Sequence, residues 1–446
     1  MKILMLGWEY PPNISGGLGT ACEGLTGALS RLGGFDIDFV VPYLYGGELA
    51  AHMRLIDAST GRDALGNLIE LAKSIMKDIN DDEKSGLRTF RIPSFLSPYW
   101  SEEQYKELRE KILEGGLNEQ ELMELFGEDI KQRLKDQKGS HYGRDIFEEV
   151  TKFAERVVSL FSRRRYDIIH AHDWMTMPAG VALSRLTGVP LVQHVHSLEY
   201  DRSGNGGHPK IREVESVGVK KAKKVIAVSH YTAGIIYKEY GIAREKIAVV
   251  HNGVYPRKMI LQYKDRKKWP EHVVLFLGRI TFQKGPEYFV EAAARVVPHV
   301  PDVLFVMAGA GDMLLKVKNR VKELGLEDHF QFPGFLRGAK IEEVFSAADL
   351  YVMPSVSEPF GISALEAISF DTPVIISKQS GVSEVLSHAL KSDFWDVERM
   401  ADLMINALCY KDLRSDMVSM ARNEISRLRW DAAAKKVAAI YRSVVD

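Results

Sequence analysis

A chain of 446 residues, 46% hydrophobic and 27% charged, is long enough for two packed domains and has an ordinary water-soluble composition. Its 59 basic and 60 acidic residues give a formal net charge of −1, which offers no electrostatic basis for binding nucleic acid or an anionic membrane. The two cysteines, Cys22 and Cys409, form no metal-binding spacing, which fits a reducing compartment. The apolar N-terminal run is short and is followed by Glu9, so it predicts a buried strand rather than a signal peptide. We therefore expect a cytoplasmic protein without integral membrane association.

The start of the chain has the pattern of a strand, a helix and a second strand. Residues 2–7 and 35–41 are predicted strands, and the helix between them is predicted from Thr20 to Leu32. The loop before this helix contains Gly16 and Gly17, and glycines at that point let the backbone approach a phosphate. Because the spacing is not G-x-G-x-x-G, a plain turn is an equal alternative.

Polar helical segments at about 50–140, notably 101–114 and 118–138, interrupt this alternation. Such charge-rich helices most often form a solvent-exposed face, and the less common interpretation is the rim of an active site. A helix over 144–164 and four short apolar runs then predict the return of a parallel sheet. The predicted strands are Asp167–Ala171, Leu191–Val195, Lys224–Val228 and Ile247–Val250.

A second series of alternating strands and helices predicts a second open sheet, with ligands in a cleft at the carboxyl ends of the strands. Its predicted strands are Val273–Leu277, Val303–Ala308, Phe330–Phe332, Leu350–Met353 and Val374–Ile376. We predict an α/β protein with domains at 1–258, including the insertion at about 50–140, and at 259–428, followed by a helix over 429–446. Trp430–Val445 has apolar positions at helical spacing, which predict a packed face: Ala434, Val437, Ala438, Tyr441, Val444 and Val445.

The stretch Ser355–Pro373 holds the most informative chemistry in the chain. It follows an apolar strand pattern and places Glu358 in a loop and Glu366 in the helix that follows. A glycine and the free N–H groups at a helix start can hold an anion or polar hydroxyls. A carboxylate facing such a place suits a ligand with both hydroxyls and phosphate, such as a nucleotide sugar.

Charged and glycine-marked turns follow the first strands of the second series. Arg279 and Lys284 flank one strand end, where two cations can neutralise a diphosphate leaving group, although exposed loop charges are the alternative. The next two strand ends carry Gly309 and Phe335, which can contact a nucleotide base or form plain turns.

Histidines end two strands of the first series, in the runs 170–174 and 193–199. His172 and His196 stand at like positions and can bond sugar hydroxyls or move protons, whereas His170 and His194 are predicted to pack within the sheet. A metal site is the less favoured interpretation, because the sequence fixes no carboxylate or thiolate beside these rings.

Together these residues resemble the retaining, nucleotide-sugar-dependent glycosyltransferases of the GT-B type, which include glycogen synthases and sucrose synthases. The paired glutamates of EPFGISALE, the GGLG loop, the HAHDW run and the GR…KG pair carry the resemblance over nearly the whole chain. It implies two Rossmann-like open-sheet domains facing across a cleft, with the last helix crossing back to the first domain. Asp371 stands where a glycine is common in this family.

The resemblance also implies roles for the donor site. Arg279 and Lys284 would hold the diphosphate, and Glu358 would contact the transferred sugar. The amides of Phe360, Gly361 and Ile362 would meet sugar hydroxyls and phosphate, and Glu366 would bind the ribose.

The first domain would complete the site. His172 would face the reacting sugar, and Gly16 and Gly17 would close on the donor phosphates. His196 and Tyr142 are the acceptor-side candidates.

The implied reaction retains the anomeric configuration, needs no metal or cofactor, and passes the acceptor proton to the leaving diphosphate. Ile14 and Met175 stand where bacterial glycogen synthases usually carry lysine and histidine, which argues against an ADP-glucose glycogen synthase. The PFGISALEA stretch more closely resembles the sucrose-synthase-like branch. We expect UDP-glucose as donor, with ADP-glucose or GDP-mannose as alternatives, and a sugar, oligosaccharide or glucan acceptor. The competing interpretations are a nucleotide-sugar sensor or inactive paralogue, and a transferase with a lipid-linked or small-molecule acceptor.

Overall fold

The computed structural model describes residues 1–14, 16–44, 48, 50–63, 146–255 and 269–445. The chain divides into two compact units: Met1–Ser15 with Gly33–Leu191, and Gly16–Leu32 with Val192–Asp446. The predicted helical segments 101–114 and 118–138 and the candidate Tyr142 lie outside the described residues. Within the described ranges, none of the helices combines the length and apolar character needed to cross a membrane.

The strands of the described chain form two parallel sheets, one of seven strands (β1–β7) and one of six (β8–β13). In the first unit the strand order is β3-β2-β1-β4, and every pairing is parallel. These strands are almost wholly buried, which explains their apolar composition. The elements are β1 (Lys2–Leu6), β2 (Asp36–Val41), β3 (Arg54–Asp57), α2 (Ile146–Phe161), β4 (Ile168–His172) and α3 (Met177–Thr187).

The second unit contains helix α1 (Gly17–Leu32) and three parallel strands in the order β5-β6-β7. Short helices follow each of the first two of these strands. The elements are β5 (Leu191–Val195), α4 (Glu199–Ser203), α5 (Pro209–Lys221), β6 (Lys224–Ala227), α6 (His230–Tyr240) and β7 (Ile247–Val249).

The six-stranded sheet has the order β10-β9-β8-β11-β12-β13, with hydrophobic cores on both faces. Its strand order reverses direction at β8 and β11, so the turns after these strands open at a topological switch point, where open sheets bind ligands. Its strands are β8 (His272–Leu277), β9 (Val303–Ala308), β10 (Phe330–Gly334), β11 (Leu350–Met353), β12 (Val374–Ser377) and β13 (Leu390–Ser392). Its helices are α7 (Pro286–Val296), α8 (Leu314–Glu323), α9 (Ala339–Ala347), α10 (Ile362–Ser369), α11 (Val397–Cys409) and α12 (Lys411–Ile425).

The last helix, α13 (Trp430–Val445), packs against α1, the helix that follows the first strand of the chain. Glycines permit this close approach. A Cβ at Gly24 would lie 2.2 Å from the Trp430 ring, and one at Gly253 would lie 2.3 Å from the Trp430 backbone nitrogen. Arg31 adds an ion pair to Asp431 at 2.9 Å. The predicted return of the last helix to the N-terminal elements is therefore confirmed.

The α/β class and the two parallel open sheets are as predicted, and several details differ, among them strand ends that shift by one or two residues. Helix α1 begins at Gly17 rather than Thr20, because small residues continue the helical pattern toward the N-terminus. Strands β3 and β13 were not predicted, since they are short and flanked by polar residues. Val445 is 46% exposed, so it does not belong to the packed face of α13 predicted to include it.

The backbone conformation at Asp371 explains why glycine is common at this position in similar sequences. Its φ of 64° lies in the left-handed region that favours glycine, which explains why glycine suits this position. The side chain is held by an ion pair to Arg422 at 2.5 Å. An aspartate is tolerated there because short polar side chains adopt this conformation more readily than others.

Candidate active site

The loop Ser355–Gly361, here called the signature loop, joins buried strand β11 to helix α10. Gly361 begins the helix with φ at 109°, a conformation that side chains disfavour. The loop backbone is fixed by the segment after β12. Glu358 N donates to Gln379 O at 2.9 Å, and Gly381 N donates to Glu358 O at 2.9 Å. The loop is thus rigid where it presents Glu358.

Glu358 and Lys284 meet in a short, mostly buried ion pair. Lys284 Nζ donates to Glu358 Oε2 at 2.5 Å, and the side chains are only 21% and 8% exposed. Ser355 Oγ also donates to the same carboxylate oxygen at 3.3 Å. The structure therefore joins two residues that are 74 positions apart in the sequence.

The turn after β8 presents both predicted cations. Gln283 is buried, its side-chain oxygen accepts from Arg279 at 3.0 Å, and its backbone oxygen accepts from Val356 N at 2.9 Å. Gly285, with φ at 63°, lets the turn approach the end of β11, because a Cβ there would lie 2.1 Å from Pro354 O. Gln283 was missed by the sequence reasoning, since a lone glutamine in a turn carries no signal.

The remaining donor-side candidates surround the same strand ends. Gly309 has φ at 151°, and a Cβ there would lie 1.8 Å from Gly278 O, so the close approach of two turns already requires glycine. Phe335 is 48% exposed beyond β10. Its ring is therefore accessible to a ligand.

Glu366 lies in α10 and is half-buried. Glu358 and Glu366 both act on the buried phenol of Tyr351, whose pKa is raised chiefly by burial and further by these two carboxylates. Tyr351 OH hydrogen-bonds Ser363 Oγ at 2.8 Å at the start of the helix. Both signature glutamates therefore lie within electrostatic range of one hydroxyl.

In the first unit, His172 is the last residue of β4 and is fully buried. Its ring stacks on His170 with centroids 4.3 Å apart, and its backbone oxygen accepts from Thr176 Oγ1 at 2.8 Å. The next residue, Asp173, has φ at 59°, an uncommon conformation for a non-glycine residue that aspartate adopts more readily than most.

In the second unit, His196 directly follows β5. Its ring stacks on His194 with centroids 4.2 Å apart, and burial lowers the pKa of the His196 imidazole to about 3. A neutral ring at pH 7 can accept or donate a hydrogen bond to a sugar hydroxyl but carries no charge.

Asp201, Ser357 and Tyr231 form a second buried contact to the signature loop that sequence reasoning missed. Ser357 Oγ donates to Asp201 Oδ1 at 2.7 Å, and Tyr231 OH lies 3.0 Å from Ser357 Oγ. Burial raises the pKa of the Asp201 carboxyl, and the nearby Glu358 adds to this effect. Only the position of Ser357 beside Glu358 could have drawn attention to it.

His230, His251 and Glu384 place one potential metal-ligand atom each within 4.8 Å of one another. Glu384 already accepts from the first amides of α6, from His230 N at 2.9 Å and Tyr231 N at 2.6 Å, and pairs with His251 Nε2 at 3.1 Å. These contacts hold the pKa of Glu384 below its usual value despite its burial. The carboxylate is thus accounted for as a helix cap.

Gly16 and Gly17 precede and begin α1. A Cβ at either position would meet nothing within 4 Å, and neither has the positive φ that favours glycine. Neither turn geometry nor packing of the described residues therefore requires glycine here.

Two segments of the chain match the sequence models of known protein families. Residues 133–258 match Glycosyltransferase Family 4, and residues 261–424 match Glycosyl transferases group 1. An uncharacterized glycosyltransferase of Methanocaldococcus jannaschii is 26% identical over 100% of this chain and 99% of its own length. A D-inositol 3-phosphate glycosyltransferase of Paenarthrobacter aurescens is 31% identical over 63% of this chain and 74% of its own length.

Solved structures share the fold over nearly the whole chain. Sucrose-phosphate synthase from Thermosynechococcus elongatus has a TM-score of 0.70 at 18% identity, covering 99% of this chain and 98% of its own. HepE from Anabaena, in complex with UDP and glucose, has a TM-score of 0.63 at 18% identity, covering 99% of this chain and 100% of its own. The chain therefore has the GT-B architecture and belongs to the glycosyl transferases group 1 family.

Proposed function

We propose that this protein is a retaining hexosyltransferase that moves glucose from a nucleoside diphosphate sugar, with UDP-glucose favoured, to a sugar or glucan acceptor. The observation that carries the proposal is the buried Lys284–Glu358 pair at the start of α10. A cation, a carboxylate and a helix N-terminus at one strand end match the phosphate and hydroxyl groups of such a donor.

The leaving diphosphate is stabilised by fixed positive groups. Lys284, held by Glu358, supplies one cation for the phosphates, and Arg279, oriented by Gln283, supplies the second. The amides of Phe360, Gly361 and Ile362, which lead into α10, have no acceptor inside the helix and bind phosphate or sugar oxygens. Two cations and a helix start take the place of a metal ion in this proposal, so EDTA should leave the rate unchanged.

The two signature glutamates and His172 are assigned to the transferred sugar and its nucleotide. Glu358 accepts hydroxyl protons of the sugar, Glu366 binds the ribose, and His172 faces the reacting centre. The C1–diphosphate bond breaks as the acceptor oxygen bonds C1 on the same face, and a leaving phosphate oxygen takes the acceptor proton. Because Lys284 and Ser355 already engage Glu358, a positioning role suits it better than attack on C1.

The acceptor is a sugar-like alcohol, with His196 and Tyr142 as candidate contacts. Relatives carry the names D-inositol 3-phosphate glycosyltransferase, mannosylfructose-phosphate synthase and alpha-maltose-1-phosphate synthase. Phosphorylated sugars and polyols therefore belong in the acceptor panel beside free sugars and glucans.

The test is a panel of UDP-, ADP- and GDP-sugars, scored for binding and for release of the nucleoside diphosphate with and without acceptors. We expect UDP-glucose to give the fastest release, and NMR of the product to show the donor's anomeric configuration. Binding without release by any donor and acceptor would instead support a nucleotide-sugar sensor. An inverted product would overturn the same-face mechanism.

A further inference from the structure

The short helix α4 holds the signature loop through a buried carboxylate. Asp201 is 1% exposed, its Oδ2 accepts from Leu198 N at 2.8 Å, and its Oδ1 accepts from Ser357 Oγ at 2.7 Å. Burying a carboxylate is unfavourable unless its oxygens are hydrogen-bonded. One oxygen closes the turn of α4, and the other is committed to a loop 156 residues away in the sequence.

Ser357 receives a second contact from α6. Its single hydroxyl proton goes to Asp201, so the Tyr231 hydroxyl, 3.0 Å away, donates to Ser357 Oγ. Ser357 is thus bonded from two different elements and is itself buried. The backbone directly before Glu358 cannot shift without breaking these bonds.

Helix α4 also packs against the turn Phe282–Lys284. The same short helix therefore touches both segments that bring Lys284 and Glu358 together. All of these residues belong to the second unit of the chain.

We propose that Asp201, acting through Ser357, positions Glu358 for the donor sugar, with Tyr231 as a weaker support. Asp201 and Ser357 are positioning residues, since neither needs to touch the substrate. The expected loss of kcat rests on the proposed function. The expected movement of the Glu358 carboxylate rests on geometry alone. A misplacement of about 1 Å at a reacting centre costs on the order of 100-fold in rate.

The kinetic test uses release of UDP from UDP-glucose by the full chain. Asp201→Ala and Ser357→Ala should each lower kcat about 10- to 100-fold, while KM for UDP-glucose changes less than about 3-fold. The double variant should be no slower than the slower single variant, because both remove one shared hydrogen bond. Tyr231→Phe should cost about 3-fold, a loss that fits a supporting bond of well under 1 kcal/mol.

A conservative variant separates hydrogen bonding from charge. In Asp201→Asn the amide oxygen can accept from Leu198 N while its NH2 donates to Ser357 Oγ, so kcat should stay within about 3-fold of wild type. Ser392→Ala is the control, because it removes a buried hydroxyl for which no hydrogen bond is seen among the described residues. It should leave kcat unchanged.

The structural test does not depend on turnover. In a crystal structure of Ser357→Ala, the Glu358 carboxylate should move away from Lys284 by about 1 Å or more relative to wild type. Losses that multiply in the double variant, or an unmoved Glu358, would overturn the inference. A wild-type protein that turns over no donor contradicts the proposed function instead, and the crystal structures then decide the positioning role.

Discussion

The signature loop and the Gly16–Gly17 segment contain small residues for different reasons. Around the signature loop, glycine is required by the fold: Gly361 has a positive φ, and a Cβ at Gly381 would lie 2.2 Å from Pro359 O. At Gly16 and Gly17 there is no positive φ, and an added Cβ would meet none of the described residues within 4 Å. One segment is held on all sides, and the other has open space.

This difference separates two uses of glycine that look alike in a sequence. In the first, glycine allows chain segments to touch, so its loss affects both folding and chemistry. In the second, the fold itself tolerates a side chain, so its loss should affect ligand approach alone. The ratio of stability loss to activity loss distinguishes the two cases.

The largest effects should come from the ion pair between Lys284 and Glu358 of the signature loop. Lys284→Ala and Glu358→Ala should each lower transfer at least on the order of 100-fold, because each removes a charged contact at the reacting centre. UDP release from UDP-glucose measures this. Arg279→Ala should lose a similar factor, and His172→Ala should lose rate more than donor affinity.

Lys378→Ala is the matched control for the lysine. Lys378 pairs with Asp393 at 2.9 Å but is 54% exposed, so its loss should leave the rate within about twofold of wild type. Near-normal turnover in the Lys284, Glu358 and Arg279 variants together would refute the assigned site.

A second effect should appear at Gly285, which the fold requires. In Gly285→Ala the new Cβ meets Pro354 O at 2.1 Å with φ at 63°, so we expect a loss of about 1–3 kcal/mol in stability and a lower Tm. Gly325→Ala is the control, because its φ is 65° but nothing lies within 4 Å. If both variants melt alike, the contact with Pro354 is not what requires glycine.

Much of the fold was readable because buried parallel strands are short, apolar and separated by helices. Strands Leu191–Val195, Val303–Ala308 and Leu350–Met353 were predicted to the residue. Arg54–Asp57 and Leu390–Ser392 were not, because edge strands of this kind carry too few apolar residues to stand out. Their pairing is a tertiary property.

The candidate site could be predicted from the sequence where its residues are close together in the chain. It could not be predicted where folding brings distant residues together. Glu358, Arg279 and Lys284 stand beside glycines at strand ends, which is a local signal. The bond from Ser357 to Asp201 joins distant segments, and no local pattern marks a partner 156 residues away. The roles assigned to all of these residues remain predictions.

A smaller effect is expected at Gly17, where the fold leaves space. Gly17→Ala should leave Tm unchanged or raise it, because alanine favours a helix over glycine by up to about 1 kcal/mol. Donor turnover should nevertheless fall about 10-fold, since the methyl group blocks close approach of backbone to phosphate. Gly234→Ala in α6 also meets nothing within 4 Å and should leave the rate unchanged. Equal rates for both variants would remove Gly17 from the site.

The smallest effect concerns Glu384, which caps helix α6 from the segment after β12. The pKa of Glu384 is lower in the folded protein than in the unfolded chain. The ionised carboxylate therefore stabilises the fold at pH values above the unfolded pKa near 4.5, and this stabilisation is lost as the pH falls through the folded pKa. Because the group is about half exposed, solvent screening keeps this contribution below about 1 kcal/mol. Glu384→Gln should therefore lower Tm at pH 7, and the difference from wild type should shrink as the pH falls below the unfolded pKa near 4.5. Glu398→Gln, in a surface ion pair 77% exposed at the carboxylate, should show no such dependence. A Tm difference for Glu384→Gln that stays constant as the pH falls below 4.5 would mean that shape, rather than charge, makes this side chain a helix cap.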